Sequence, residues 1–443
     1  MGLFDRFRGG DGERVAVLGI DGVPHSLVED SPDRFPTLSS MRGAPIDSVY
    51  PPESSACWPA LTTGVTPGKT GVYGFQERAD ESYETYVPTG NDVRTPRLWD
   101  RVEAAGRRAT VLNVPVTYPA QENVHRMVSG FLSPDIEAAT TDAETAQFLT
   151  SIGYEIDADA KLGHQEDKSA FIENANETLD ARYEAFSHYL DEDDWDLFFG
   201  VFMTTDRVNH FLYGDYAADG EYKEEFLDFY ENVDACIGRL RDQLPDDVTL
   251  LVVSDHGFQA ERGEADLNAW LQREGWLDYD TSAPEGLSDI SDDTRAYSLI
   301  PGRLYLTLED REPRGRVPES EYDDARAELA DALESLRDPD GEPVVDRVVT
   351  REDAFHGAAT GTAPDLIAIP ANGYDLKAGF GGDDVFSTSP RNGMHSFSDA
   401  VLFTDDPSID PRDATDLLDI TPTVLDTLGV EYAHREFDGT SIH

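Results

Sequence analysis

The chain has 443 residues, of which 39% are hydrophobic and 10% aromatic, enough apolar material for a large buried core and too much for a disordered chain. Against 35 Lys+Arg stand 89 Asp+Glu, a formal net charge of -54. Such a chain lacks the clustered cations that neutralise nucleic-acid phosphates, which argues against binding to a nucleic-acid polymer.

The acids are spread along the sequence, as in Asp191-Glu192-Asp193-Asp194, Asp246-Asp247 and Asp383-Asp384, rather than gathered in one tail. That pattern is expected of a halophilic, archaeal-type protein in a salt-rich cytoplasm that screens them. At the N-terminus Leu3, Phe4 and Phe7 lie beside Arg6 and Arg8. This segment reads as a frayed terminal turn rather than a membrane contact, and it is too short in apolar residues for a signal peptide. No later segment has the length of a membrane span, and two cysteines, Cys57 and Cys236, suit a reducing compartment. A cytoplasmic location is expected.

In chain order, apolar runs rich in β-branched residues occur at 15–20, 109–114, 197–203, 248–253, 366–369 and 400–403 and predict buried strands. Helical patterns separate them. The clearest runs through Phe226, Phe229, Tyr230, Val233, Ile237, Leu240 and Leu244, whose spacing of three and four makes one apolar stripe. Another is predicted at 422–428, ended by Gly429. Alternating strands and helices define an α/β fold with a mostly parallel sheet flanked by helices. The stretch 259–362, with a helix predicted at 321–336 among Pro-, Gly- and charge-rich connections, reads as an inserted cap between core segments 1–258 and 363–443. Its Trp270, Trp276, Tyr297 and Tyr305 fit a core as well as a stacking platform.

Open α/β sheets hold their ligands beyond the C-terminal ends of the strands. There the sequence places Asp21 after 15–20, Asp206 and His210 after 197–203, and Asp255-His256-Gly257 after 248–253, while His395 stands just before 400–403. Alone, each has an ordinary explanation: a turn, a helix-surface pair one turn apart, a cap, a loop hydrogen bond. Together they form a mixed carboxylate and imidazole set that favours Zn²⁺ or Mn²⁺ over Ca²⁺ and suffices for two ions. Two such ions stabilise the attacking and leaving oxygens of an in-line phosphoryl displacement. Ser54 follows Pro51 and Pro52 and precedes a predicted short helix, so its hydroxyl is the candidate nucleophile at a helix N-terminus. A plain helix cap at Ser54 or Ser55 is the alternative.

In its order of motifs the sequence resembles the alkaline phosphatase superfamily, and within it the type I phosphodiesterase/nucleotide pyrophosphatase group. Segments 111–119 (VLNVPVTYP), 267–277 (LNAWLQREGWL), 363–366 (APDL), 419–429 (DITPTVLDTLG) and the closing Asp438-Gly439 extend the likeness nearly end to end. The resemblance implies one metal centre held by Asp206, His210 and His395, and a second by Asp21, Asp255, His256 and the oxygen of Ser54, ten residues before the Gly of Thr63-Gly64. It implies hydrolysis of a phosphodiester or nucleotide-type pyrophosphate through a phosphoseryl intermediate, on a small phosphorylated substrate, with zinc or manganese as cofactor. A phosphomonoesterase or phosphomutase is the alternative. A sulfatase fits less well, because its modified cysteine would replace Ser54 and Cys57 is out of register. A non-catalytic phospho-ligand binder would be expected to have lost one of these residues.

Overall fold

The computed structural model describes residues 13–79 and 82–443, so the N-terminal segment 1–10 falls outside the described residues. Its centre is a seven-stranded sheet in the order Arg42–Ile46, Ala400–Thr404, Val248–Val253, Arg14–Ile20, Leu197–Phe202, Ala109–Val114, Arg126–Ser129. The four pairings from Val248–Val253 to Arg126–Ser129 are parallel, and Ala400–Thr404 runs antiparallel to both of its neighbours.

Strand periodicity distributes the core between two faces. Ala16, Leu18, Ile20, Phe198, Phe202 and Val252 point to one face, which is covered by helices Ser169–Glu192, Thr204–Ala217 and Lys223–Gln243. Val15, Val17, Phe199, Val201, Leu251 and Val253 point to the other, beneath helices Ser54–Thr63, Leu98–Ala104 and Ile420–Thr427. Every strand read from apolar runs is present as a strand. Arg42–Ile46 and Arg126–Ser129 have no such run because each lies at an edge of the sheet, where polar residues and Pro45 are tolerated.

One assignment needs correction. Residues 366–369, grouped with the core at sequence level, form Leu366–Pro370 in a separate antiparallel sheet, between Arg303–Leu306 and Val345–Thr350, with Ala296–Leu299 beyond. Tyr374–Lys377 likewise pairs with Gly263–Asp266. A buried apolar run does not state which sheet it joins. Helix Tyr322–Glu334 packs its Ala325, Leu329 and Leu333 on this smaller lobe, and Trp270, Trp276, Tyr297 and Tyr305 are buried in its core. Among the described residues no helix is long and apolar enough to cross a membrane.

The sheet and the Ser54 helix meet without slack at Gly19. A Cβ there would come within 2.5 Å of Trp58 Cη2 and 2.8 Å of Val201 Cγ2. Gly19→Ala is expected to cost about 1–3 kcal/mol by overpacking, read as a lower denaturant midpoint at unchanged slope. An unchanged midpoint would show that the helix can shift. With repelling acids over the whole surface, the thermal midpoint is also expected to climb as KCl rises from dilute to molar concentration, and a flat response would contradict that reading.

Candidate active site

The seven residues singled out from sequence converge on one cluster. Asp21 immediately follows Arg14–Ile20, and Asp255 and His256 follow Val248–Val253 after Ser254. Asp206 and His210 lie one turn apart on Thr204–Ala217, and Ser54 is the first residue of Ser54–Thr63. His395 arrives on Gly393–Ser396, which pairs with Gly257–Ala260 so that His395 sits opposite Phe258. Asp21, Ser54, Asp206, His210, Asp255 and His256 are buried, and His395 is half-buried.

Two groups can be distinguished. In the first, Ser54 Oγ lies 3.2 Å from Asp21 Oδ1 and 3.2 Å from His256 Nε2, which is 3.4 Å from Asp255 Oδ2. In the second, His395 Nε2 is 3.2 Å from Asp206 Oδ1 and 3.1 Å from His210 Nε2, itself 3.5 Å from Asp206 Oδ1. The two groups touch, since the His256 and His395 rings lie 4.0 Å apart between centroids.

All three imidazoles are oriented in the same way. Nδ1 donates to the carbonyl of Gly393 from His210 (3.0 Å), of Gly257 from His256 (3.1 Å) and of Pro52 from His395 (3.1 Å). A carbonyl only accepts, so each Nδ1 carries a proton and each Nε2 faces the cluster, where it offers a lone pair whenever the ring is neutral. Two Nε2 lone pairs 3.1 Å apart repel unless a proton or a metal ion lies between them. Asp255 Oδ2 is buried with no hydrogen-bond partner, an orphan that is costly unless a cation compensates it. The donor set thus fits divalent ions: Asp21, Asp255 and His256 lie within 4.8 Å of one another, as do Asp206, His256 and His395.

The electrostatics agree. Burial, with Asp206 adding, pushes the Asp255 carboxyl up to about 7. Burial and the nearby Asp255 and Asp206 likewise push Asp21 up. Burial pushes His256 down to about 3 and His210 well down, while Asp206 raises His395 in spite of its burial. Burial would also raise Asp206, but His210, His395 and Arg207 outweigh it and hold this carboxyl well below its usual range.

Sequence reasoning missed the residues that hold these groups. Trp58 Nε1 donates to Asp21 Oδ2 at 2.6 Å, and the Gly22 amide to Asp255 Oδ1 at 3.1 Å. Arg207 joins Asp206 Oδ2 (3.2 Å) to Asp157 (2.6 Å). Asn209, positioned by Tyr230, donates to the Gly22 carbonyl. Trp58 stands four residues after Ser54, on the same helical face, and that spacing was the available signal. Cys57 points away: its Sγ lies 3.1 Å from Ser48 Oγ, and burial pushes the thiol up.

Fold and site together define an alkaline phosphatase-like core with an Asp/His cluster at the strand ends. The chain belongs to the type I phosphodiesterase / nucleotide pyrophosphatase family, whose model matches residues 15–398. It is therefore a member of a family of phosphoester hydrolases. Among solved structures it resembles phosphonoacetate hydrolase from Sinorhizobium meliloti 1021 at 15% identity and TM-score 0.61, covering 94% of this chain and 96% of that one. Murine ectonucleotide pyrophosphatase / phosphodiesterase 5 matches at 14% identity and TM-score 0.56, over 95% and 96% of the two chains. A mutant of alkaline phosphatase PafA matches at 13% and 0.60, over 98% and 99%. At these identities the likeness shows the fold. No curated protein sequence is significantly similar to the chain.

Ligands bind metal deprotonated, so the raised Asp255 sets a pH dependence. Zn²⁺ affinity of the metal-free chain is expected to fall as pH drops below about 7, by up to ~10-fold per pH unit for the proton displaced from Asp255, and to level off above it. Calorimetry in buffers of different ionisation enthalpy would register the released proton. Constant affinity from pH 5.5 to 8 would refute the assignment.

Proposed function

We propose that the protein is a metal-dependent phosphoric ester hydrolase acting on a phosphodiester or nucleotide-type pyrophosphate, with Ser54 as nucleophile. The observation that carries this reading is the position of the Ser54 hydroxyl, 3.2 Å from both Asp21 and His256 at the head of a buried helix. The amides of Ser54 and Ser55, first in that helix and without acceptors inside it, face the anion-favouring end of its dipole. Those amides suit the non-bridging oxygens of a phosphoryl group.

Asp206, His210 and His395 would hold one divalent ion, and Asp21, Asp255, His256 and Ser54 a second, zinc or manganese. Once bound, such ions lower the pKa of a coordinated hydroxyl and neutralise charge on the attacking and leaving oxygens. The chain's own residues do the rest. Trp58 fixes one Asp21 oxygen, so that the other faces Ser54. Ser54 Oγ attacks phosphorus as the bond to the leaving oxygen breaks, giving a phosphoseryl ester and an alcohol or phosphate. Water then attacks the same phosphorus from the vacated side, restoring the serine hydroxyl and releasing the phosphoryl product. The His210 and His395 end of the cluster is where the leaving group departs. The segment 259–362, extended by Leu366–Pro370 and Tyr374–Lys377, serves as the cap that shapes this side. The spread of acidic charge supports a halophilic, cytoplasmic setting.

The test is release of nitrophenol from bis-p-nitrophenyl phosphate and from p-nitrophenyl phosphate in molar KCl with Zn²⁺ or Mn²⁺. The expected result is preference for the diester, loss of about 10³-fold or more in Ser54→Ala, and abolition by chelator. Preference for the monoester would point to a phosphatase or mutase, and full activity in Ser54→Ala would remove Ser54 from the mechanism.

A further inference from the structure

A cavity of about 140 Å³ opens beside His210 and His395, between the core and the smaller lobe. Its walls are largely apolar, with Pro52, Ile300, Ile369, Met394 and Phe397 among them, and its volume suits a body the size of one aromatic ring. Ser54 lies with Asp21 and His256 at the other end of the cluster. In-line displacement sends the leaving group away from the nucleophile, so on the function proposed above this cavity receives it.

Three of the charged groups on its wall are already engaged. Glu53 accepts hydrogen bonds from Ser55 Oγ (3.2 Å) and the Phe75 amide (3.1 Å). Lys377 pairs with Asp375, which also lines the cavity, and lies 3.8 Å from Glu264. Arg391 differs. It is half-buried, and among the described residues its guanidinium has neither a hydrogen bond nor a carboxylate within 4.0 Å. Half-buried Arg34, by contrast, is shared by Glu224, Asp228 and Glu231.

The backbone around Arg391 is fixed to the site. The Asn392 amide donates to the His210 carbonyl at 2.9 Å, the Asn392 side chain accepts from the Gly214 amide at 3.0 Å, and the Gly393 carbonyl receives His210 Nδ1. A further nearby cation, buried Lys168, donates to the carbonyls of Gly163 and Pro390 and is attracted by Asp215. Arg391 is thus a pre-positioned cation on the wall of a largely apolar pocket; it feels the charge of half-buried Glu261 at longer range but is paired with no carboxylate.

We propose that Arg391 is the specificity-determining residue of the leaving-group pocket, and that the preferred leaving group carries a second anion, a carboxylate or a phosphate, on a compact apolar body. A guanidinium binds either anion through paired N–H donors, and its half-buried position lessens screening by salt.

The test is calorimetric binding to the Zn²⁺-loaded protein in molar KCl. The probes are phenylphosphonate, 4-carboxyphenylphosphonate and benzene-1,4-diphosphonate, none of which is turned over. Wild type is expected to bind one or both doubly anionic probes roughly tenfold or more tighter than phenylphosphonate. Which of the two binds tighter distinguishes a carboxylate from a phosphate. Arg391→Gln should lose that preference and still bind phenylphosphonate as wild type does, and Arg391→Lys should recover part of it. Equal binding of all three by wild type, or an unchanged preference in Arg391→Gln, would overturn the assignment of Arg391. Failure to bind any phosphonate would instead overturn the phosphoryl-site reading beneath it.

Discussion

Three carboxylates, Asp21, Asp206 and Asp255, are buried in one cluster, and most of the architecture around them can be understood as managing that charge. Taking ionised carboxylates out of water is expensive unless they are paired or bind metal. Arg207 serves Asp206, the indole of Trp58 serves Asp21 and an amide serves Asp255, yet one Asp255 oxygen keeps no partner. Backbone carbonyls hold the Nδ1 proton of each imidazole, so every Nε2 faces the cluster; burial keeps His210 and His256 low, whereas Asp206 raises His395 in spite of its burial. The protein thus gathers electron-rich atoms that face one another, in groups that could hold metal ions.

The fold supplies this geometry cheaply. Parallel strands deliver Asp21, Asp206 and Asp255 to one edge of the sheet without long loops, and the antiparallel ladder between Gly257–Ala260 and Gly393–Ser396 carries His395 back over them. The smaller lobe contributes none of the seven residues of the cluster. It contributes wall: Ile300, Ile367 and Ile369 face the cavity, and fully buried Arg303 ties the lobe to Glu77 and the Gln76 carbonyl in the segment after the Ser54 helix. The Asp/His cluster and part of the apolar wall beside it thus come from different parts of the chain.

The legible parts of the sequence were those where a local pattern determines a local structure. Runs such as 15–20 and 248–253 are apolar on both faces because both faces are covered, and the polar residue that ends each run is the one the sheet presents. Asp206 and His210 declared their common face through a spacing of four. The illegible parts depend on pairing at a distance. Nothing in Leu366–Pro370 distinguishes a strand of the smaller lobe from a strand of the central sheet. Trp58 is buried in the core, yet its one polar atom is committed to Asp21. Arg391 sits in an unremarkable polar loop, and that no carboxylate pairs with its guanidinium is a property no single segment encodes.

The antiparallel strand Ala400–Thr404 gives the edge strand Arg42–Ile46 its place in the sheet, and Gly393–Ser396 just before it brings in the last histidine. During synthesis Arg42–Ile46 therefore waits for its partner until Ala400–Thr404 has been made, and Arg14–Ile20 waits for the nearer Leu197–Phe202 and Val248–Val253. Pairings so distant in sequence make folding slow and leave exposed strand edges open to wrong partners. On this view the surface acids have a second use before folding is complete, since mutual repulsion between nascent chains keeps those waiting edges apart.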